Sequence, residues 1–189
     1  SAPSRVNGVG YAGAGRAVNA AGSGAASDSR LLSPRAVPAE PVIVVTNGAG
    51  MLSVAYTVAD DGGSPVTGIE YNIGSGWVDA GSLTSPFVIS GLSNGTTYPV
   101  TVRAVNVSGA SGVNAARSGT PRTVPDAPLA VSVASDNSSA LVSWSAPVFN
   151  GGSAITSYVA TAYSTANGST VVRTATTAST SATITSLTN

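Results

Sequence analysis

Residues 98–109 of the chain are YPVTVRAVNVSG, and residues 11–22 are YAGAGRAVNAAG, so one unit occurs twice at an offset of 87 residues. The match runs without a gap over 11–41 and 98–128, and it includes the shared prolines Pro34 and Pro121. Within the later copy, Tyr98, Val100 and Val102 occupy every second position, which is the side-chain period of a β-strand. The stretch therefore predicts a strand that recurs along the chain.

A second correspondence links the segments that follow these strands. Residues 52–71 (LSVAYTVADDGGSPVTGIEY) are similar to 141–160 (LVSWSAPVFNGGSAITSYVA), with Tyr56 matched to Trp144. Residues 88–94 (VISGLSN) match 183–189 (TITSLTN). Three copies of one repeat are therefore present, and only the middle copy is whole.

Composition limits the chemistry that the chain can perform. Charged residues make up 8% of the 189 residues and the net charge is zero, against roughly 25% charged residues in ordinary soluble domains. A basic face for nucleic acid or an anionic membrane is therefore not expected. The chain has no histidine and no cysteine, which removes disulfides, thiolate zinc sites and the usual catalytic triads. No apolar run approaches the ~20 residues of a membrane span. We expect no enzyme and no cofactor.

The alternating pattern predicts an all-β chain, since no stretch carries a 3.6-residue apolar period. The alternation is clear over 52–58, 69–71 and 98–105 of the middle copy, which we predict to be strands. Gly, Asn, Ser and Pro separate these strands at the spacing typical of β-sandwiches.

These features resemble fibronectin type III repeats, particularly those of bacterial extracellular proteins. In the third copy the resemblance rests on a proline-rich entry, Trp144 on strand B, a Gly-Gly-Ser bend and the pair Ile155 and Tyr158. In the middle copy it rests on Leu92 and Tyr98, which match the family's leucine and tyrosine-corner positions. The resemblance implies tandem, elongated immunoglobulin-like β-sandwiches with Trp144 in a core. Mapped onto the middle copy, it implies strands A 42–46, B 51–58, C 66–72, C′ 76–79, E 85–90, F 97–106 and G 113–120. It does not by itself indicate a function, because such modules serve many roles.

The resemblance also implies a division of the chain. Residues 1–38 are predicted to be the C-terminal part, strands F and G, of a first repeat, 39–124 a complete repeat, and 125–189 a repeat that lacks strands F and G. Three prolines in each of the junctions PRAVPAEP and PRTVPDAP predict semi-rigid linkers. One departure from the family stands out: Gly13 and Gly15 occupy the inward positions of Val100 and Val102, and glycine weakens a strand there.

The acidic and aromatic residues have ordinary explanations that we favour. Asp60 and Asp61 precede two glycines and predict a solvated turn rather than a calcium site. Glu70 and Asp79 are expected on the surface rather than as paired catalytic acids. Trp77 is either an exposed contact aromatic or, as we favour, packed at the sandwich edge. Arg103 is expected on the outward face of strand F, where its side chain covers apolar surface. Four Asn-x-Ser/Thr matches, at Asn94, Asn106, Asn137 and Asn167, are expected by chance.

The two incomplete repeats admit two interpretations. The favoured one is a window on a longer tandem array. The alternative is completion between chains, in which strands F and G of one chain add to strands A–E of the next and propagate a filament. The residues predicted to bind the partner in that case are Tyr11, Arg16, Val18, Ile155 and Tyr158.

The sequence predicts a non-catalytic structural or adhesive spacer of an extracellular or cell-surface fibre or multi-repeat protein. The expected partners are other copies or further repeats of the same protein, with carbohydrate or a cell-surface protein as further candidates. No nucleic-acid partner and no membrane span are expected. The alternatives are an accessory region of a secreted polysaccharide-degrading enzyme and a phage virion decoration or fibre component, with a virion location.

Overall fold

A computed structural model describes residues 6–164 and 170–188. These residues form strands, turns and bends, and no helix occurs among them. The chain divides into two compact units. Unit 1 contains the residues up to Asn47, Met51–Leu92 and Thr97–Gly119, and unit 2 contains Gly48–Gly50, Ser93–Thr96 and the chain from Thr120 onward. The three predicted repeat boundaries stay a prediction.

The N-terminal part of unit 1 contains two small antiparallel sheets. Strand β1 pairs with β4 and strand β2 pairs with β3. Most of these residues are exposed, because glycine and alanine at the inward positions give the strands little apolar surface to bury. The strands are β1 (Tyr11–Gly13), β2 (Arg16–Asn19), β3 (Gly22–Ala26) and β4 (Arg30–Leu32).

The middle repeat is a sandwich of two antiparallel sheets. One sheet has the order β5-β6-β9, and the other has the order β11-β10-β7-β8 with β12 also paired to β10. The predicted strands A, B, C, C′, E and F are confirmed as β5 to β10 in chain order, with ends that differ by up to two residues. The strands are β5 (Val42–Gly48), β6 (Met51–Thr57), β7 (Gly68–Asn72), β8 (Val78–Asp79), β9 (Phe87–Ser90), β10 (Tyr98–Asn106), β11 (Gly109–Ala110) and β12 (Arg117–Gly119).

The core of the middle repeat lies between these sheets. Its period-2 strands turn alternate apolar side chains inward, and Val100, Val102 and Ala104 of β10 are completely buried. They pack with the buried apolar residues of the other strands: Ile43, Leu52, Val54, Ile69, Phe87 and Ile89. Leu92 and Tyr98 pack against this cluster, as their family positions predict. Strand β10 thus supplies a third of the nine buried core residues.

The prediction of one continuous strand G over 113–120 is wrong. The structure has two short pieces, β11 and β12, with irregular chain between them. Side chains replace part of the missing ladder: Asn114 Oδ1 accepts a hydrogen bond from Val102 N–H at 2.5 Å, and Ser111 Oγ accepts one from Ala104 N–H at 3.0 Å. These side chains accept hydrogen bonds from backbone N–H groups of β10. The segment after β11 therefore need not pair with β10 as a regular strand.

The described part of unit 2 has two antiparallel sheets, with orders β13-β14-β17 and β15-β16. Its core is smaller than that of the middle repeat and consists of Trp144, Ala160, Ala182 and Ile184. The predicted core position of Trp144 is confirmed, since only 9% of this residue is exposed. The strands are β13 (Leu129–Asp136), β14 (Ser139–Ser145), β15 (Tyr158–Tyr163), β16 (Val171–Thr177) and β17 (Ser181–Thr185).

Candidate functional site

An apolar groove of 510 Å³ lies in unit 2 beside Trp144, and we call it the Trp144 groove. Val131, Val142, Ile155 and Tyr158 contribute to its walls. The rings of Trp144 and Tyr158 lie with centroids 5.4 Å apart and planes inclined by 57°, a favourable tilted arrangement. Trp144 Nε1 is buried and has no hydrogen-bond partner among the described residues. The groove therefore offers apolar surface together with one unused donor in its wall.

The five predicted partner-binding residues lie in two places. Ile155 and Tyr158 are half-buried in the walls of the Trp144 groove. Tyr11, Arg16 and Val18 lie in unit 1, on β1 and β2. Arg16 and Val18 are exposed, while Tyr11 is half-buried and its hydroxyl accepts a hydrogen bond from an N–H of the preceding turn at 2.7 Å. Their role in binding stays a prediction.

Asn106 is the most connected buried polar residue of the middle repeat. It ends the inward-facing row of β10 and is 4% exposed. Its Nδ2 donates to the carbonyl oxygens of Ala36 at 2.8 Å and Asp61 at 2.7 Å, with a longer contact to Ser64 O at 3.4 Å. Its Oδ1 accepts the N–H of Ser108 at 2.8 Å. Asn106 therefore joins the end of strand F to the linker and to the loop after strand B.

Asn106 belongs to one of the Asn-x-Ser/Thr matches, but its side chain is buried and its Nδ2 donates to two carbonyl oxygens. A glycan attached to this nitrogen is therefore incompatible with the fold. Asn94 Oδ1 accepts the N–H of Gly50 at 2.8 Å. Asn167 lies outside the described residues.

A set of backbone contacts surrounds Asn106, and we call it the unit 1 joint. Gly8 N–H donates to Pro34 O, and Ala36 N–H donates to Gly62 O, both at 2.8 Å. Gly63 lies against Gly8 so closely that a Cβ on Gly63 would overlap the Gly8 backbone, and a Cβ on Gly62 would overlap Ala36. Both Gly62 and Gly63 have positive φ, which other residues rarely adopt. Only glycine fits these two positions.

The same joint occurs a second time within unit 2. Gly95 N–H donates to Pro121 O at 2.9 Å, and Thr123 N–H donates to Gly151 O at 2.8 Å. A Cβ on Gly152 would overlap the Gly95 backbone, as in the first joint. Gly151 and Gly152 again have positive φ. The turn, linker and Gly-Gly loop that the repeat places at equivalent positions thus make equivalent contacts.

The acidic pair before the first Gly-Gly loop forms a turn, as predicted. Asp60 Oδ1 accepts the N–H of Gly62, and Asp61 Oδ1 accepts the N–H of Gly63, both at 2.8 Å. Each carboxylate thus closes an Asx turn on the glycine two residues later. Among the described residues no group of three or more acidic, histidine or cysteine side chains is placed to hold a metal ion.

The outer face of β10 has a small charged cluster. Arg103 Nε donates to Glu70 Oε2 at 2.5 Å, and its guanidinium carbon lies 4.2 Å from the centroid of the Trp77 ring. The outward position predicted for Arg103 is confirmed. The ring of Trp77 is half-buried and lies against Arg103. Neither interpretation of Trp77, as an exposed contact residue or as packed at the sandwich edge, included this contact. Asp79 lies opposite Glu70 in the β7–β8 ladder, but the carboxylate of Glu70 forms its ion pair with Arg103.

Two functional features escaped the sequence analysis: the buried role of Asn106 and the steric role of the paired glycines. A signal for the first was present, because Asn106 continues the inward series of Tyr98, Val100, Val102 and Ala104. A signal for the second was also present, because Asn-Gly recurs at 7–8 and 94–95 and Gly-Gly recurs at 62–63 and 151–152. The contact between these glycines could not be read from the sequence, because they are distant along the chain.

Comparison with known proteins supports the fold and leaves the family open. No family model matches the chain. A Kelch domain-containing protein of Saccharolobus solfataricus is 35% identical over 81 residues, which are 43% of this chain but only 11% of that protein. A crystal structure of titin domains is 22% identical, with a TM-score of 0.52, and the match covers 91% of this chain and 62% of that one. The FN1–FN3 domains of chicken contactin match 96% of this chain and 66% of that one, at 16% identity and a TM-score of 0.41.

The fold that these findings define is that of tandem fibronectin type III, immunoglobulin-like β-sandwiches. The fold alone does not indicate a function, because one fold serves many roles. No helix in the part of the chain that the structure describes is long and apolar enough to cross a membrane.

Proposed function

We propose that the chain is a stiff structural spacer of an extracellular or cell-surface multi-repeat protein of bacterial type. The observation that supports this proposal is the joint, which the same sequence elements build once in unit 1 and once in unit 2. A loosely linked pair of domains needs no such contacts, since a linker of small polar residues suffices. In the unit 1 joint, glycines that admit no side chain, a proline-rich linker and the buried Asn106 meet at one point.

The mechanism of a spacer is to resist bending, and the joint has the features that this requires. Its hydrogen bonds connect backbone groups directly, and its prolines restrict the linker backbone in advance. The glycines allow backbone to touch backbone, so no side chain has to reorder when the array is loaded. The surface carries few charges, and the chain has no histidine or cysteine for chemistry.

Distance measurements by pulsed electron paramagnetic resonance across the unit 1 joint test the proposal. Because the chain has no cysteine, cysteines introduced at Ser23 and Val88 carry the only two spin labels. Both positions are exposed, on β3 and β9. We expect a narrow distance distribution, and we expect Gly8→Val to broaden it by forcing the two loops apart.

The matched control is Gly15→Val, because nothing lies within 4 Å of a Cβ at this position. It should leave the distribution unchanged. With Trp144→Phe also present, so that Trp77 is the remaining tryptophan, the fluorescence of Gly8→Val should remain native, because Gly8 lies outside the strands of the middle repeat. A distribution that is already broad in the unmodified chain contradicts the proposal.

A further inference from the structure

Three Asn-Gly pairs lie in the two joints, at 7–8, 94–95 and 150–151. An asparagine before a glycine can lose its side-chain amide without an enzyme, because the small glycine lets its backbone nitrogen approach the side-chain carbonyl carbon. That nitrogen has to give up its proton to react. A hydrogen bond from the glycine N–H therefore protects the asparagine before it.

The three glycine N–H groups differ in this protection. The N–H of Gly8 donates to Pro34 O at 2.8 Å. The N–H of Gly95 donates to Pro121 O at 2.9 Å. The N–H of Gly151 donates to no acceptor among the described residues. Gly151 is buried, so bulk water does not replace the missing acceptor.

The residue before the Asn-Gly pair explains why the acceptor is missing. In the middle repeat, Asp60 Oδ1 accepts the N–H of Gly62 at 2.8 Å. The offset of 89 that relates Gly62 to Gly151 places Phe149 at the position of Asp60. Phenylalanine has no side-chain acceptor. The third copy therefore keeps the Gly-Gly loop but leaves its first glycine N–H unpaired.

The side chain of Asn150 is placed for reaction with this nitrogen. Asn150 is exposed, and its Oδ1 accepts the N–H of Gly152 at 3.0 Å, which turns the side chain back toward the intervening backbone. The same N–H stabilises the negative charge that develops on Oδ1 when Gly151 N attacks Cγ. Asn94 Oδ1 also has a donor, the N–H of Gly50. The glycine nitrogen is therefore the main difference between the Asn94 and Asn150 pairs.

From these contacts we propose that Asn150 is a site of spontaneous deamidation in the folded chain. Gly151 N gives its proton to solvent base and forms a bond to Cγ of Asn150. The bond from Cγ to Nδ2 breaks, and Nδ2 takes up a proton from solvent and leaves as ammonia. Water then opens the resulting succinimide ring. Opening at Cγ gives aspartate, and opening at the backbone carbonyl gives isoaspartate.

Burial of the glycine favours ring closure at this pair over the other two. The ring nitrogen of a succinimide has no hydrogen. At Gly8 and Gly95 ring closure breaks a hydrogen bond, whereas at Gly151 it removes a buried donor that has no partner. We therefore expect Asn150 to deamidate faster than Asn7 and Asn94 in the folded chain.

The two products have different consequences for the contacts of the Gly-Gly loop. Aspartate fits, because Asp61 occupies the equivalent position and makes the same turn contact. Isoaspartate lengthens the backbone by one atom just before Gly151, whose carbonyl accepts the N–H of Thr123. The next residue, Gly152, lies too close to Gly95 to move toward it. If the proposed spacer role is correct, isoaspartate at position 150 therefore loosens this joint as the protein ages.

Peptide mapping by mass spectrometry tests the site in the full chain. The chain is incubated at mildly alkaline pH, and electron-transfer fragmentation then locates each deamidated residue and separates aspartate from isoaspartate. We expect Asn150 to react roughly fivefold or more faster than Asn94, the effect of about one hydrogen bond on a rate. In denaturant, where the hydrogen bonds are lost, the two rates should become similar.

Two variants of Phe149 test the cause. Phe149→Asn restores a neutral acceptor at the position of Asp60 and should slow deamidation of Asn150 roughly fivefold in the folded chain. Phe149→Ala is the matched control, which removes the ring without adding an acceptor and should leave the rate fast. Equal rates in the two variants overturn the proposal. Equal rates at Asn150 and Asn94 in the folded chain, or a difference between them that persists in denaturant, also overturn it.

Spin labels on cysteines introduced at Val88 and Thr183, which are exposed on β9 and β17, test the consequence. We expect the distance distribution to broaden as isoaspartate accumulates. Asn150→Ser keeps a side-chain acceptor for the turn but cannot form the ring, so it should not broaden. A broad distribution before incubation, with fast deamidation of Asn150, removes the spacer role and leaves the modification site in place. A narrow distribution with slow deamidation does the reverse.

Discussion

Replacing Asn106 with alanine removes the side chain that connects strand F, the linker and the loop after strand B in the middle repeat. The amide makes two short bonds, to Ala36 O at 2.8 Å and Asp61 O at 2.7 Å, and its Oδ1 accepts the N–H of Ser108. Alanine cannot replace any of these contacts, and the residue is 4% exposed, so water has little access to the groups left behind.

The expected loss follows from these bonds. A hydrogen bond within a protein contributes about 1 kcal/mol net, and a buried polar group left without a partner costs about 1–3 kcal/mol. We therefore expect Asn106→Ala to lower the free energy of unfolding of the middle repeat by about 2–3 kcal/mol. Asn19→Ala is the matched control, since the same residue type at the equivalent position is exposed. It should change stability by no more than about 0.5 kcal/mol.

Denaturant unfolding followed by tryptophan fluorescence measures the difference. The chain has two tryptophans, and Trp144→Phe removes the emitter in unit 2, so that Trp77 reports on the middle repeat. Asn106→Ala should shift the midpoint without changing the slope. Equal losses in Asn106→Ala and Asn19→Ala would refute the reasoning, because burial and the carbonyl contacts would then not decide the effect.

Three further predictions concern the middle repeat. Phe87→Ala should lower the free energy of unfolding by about 3–5 kcal/mol in the same fluorescence assay, because the ring is 6% exposed and lies 5.6 Å from the Tyr71 ring between centroids. Glu70→Gln should cost less than about 1 kcal/mol, with a difference from the unmodified chain that shrinks in high salt, because the pair with Arg103 is partly exposed. Burial raises the pKa of Tyr56 above 10.0, so its contribution to stability is present below pH 10 and is lost as the pH rises through the folded-state pKa. Across that pH range the free energy of unfolding of Tyr56→Phe should fall less with rising pH than that of the unmodified chain. An identical fall in the two proteins would contradict the assignment to Tyr56.

The repeat pattern was sufficient to predict the strands of the middle sandwich because its core strands alternate clearly. Leu52 and Val54 on β6, and Val100 and Val102 on β10, occupy every second position, and all four are completely buried. A one-residue shift would turn every one of them outward. The alignment of the copies also predicted a strand near the N-terminus, where the structure has β1 and β2, although Gly13 and Gly15 supply no apolar pattern of their own.

Strand G could not be predicted because its contacts are made by side chains. Asn114 and Ser111 accept hydrogen bonds from the β10 backbone, and a propensity argument cannot tell such residues from ordinary loop residues. Trp77 was missed for a related reason. Its contact with Arg103 joins β10 to the chain just before β8, and it depends on how the two outer faces meet rather than on local sequence.

Strand F holds the middle repeat together, because β10 supplies a third of its buried core residues. Amide hydrogen exchange followed by mass spectrometry tests this role most directly. We expect the amides of β10 to exchange far more slowly than those of β1 and β2, whose side chains are mostly exposed. Exchange of β10 that is as fast as that of β1 and β2 would contradict the claim.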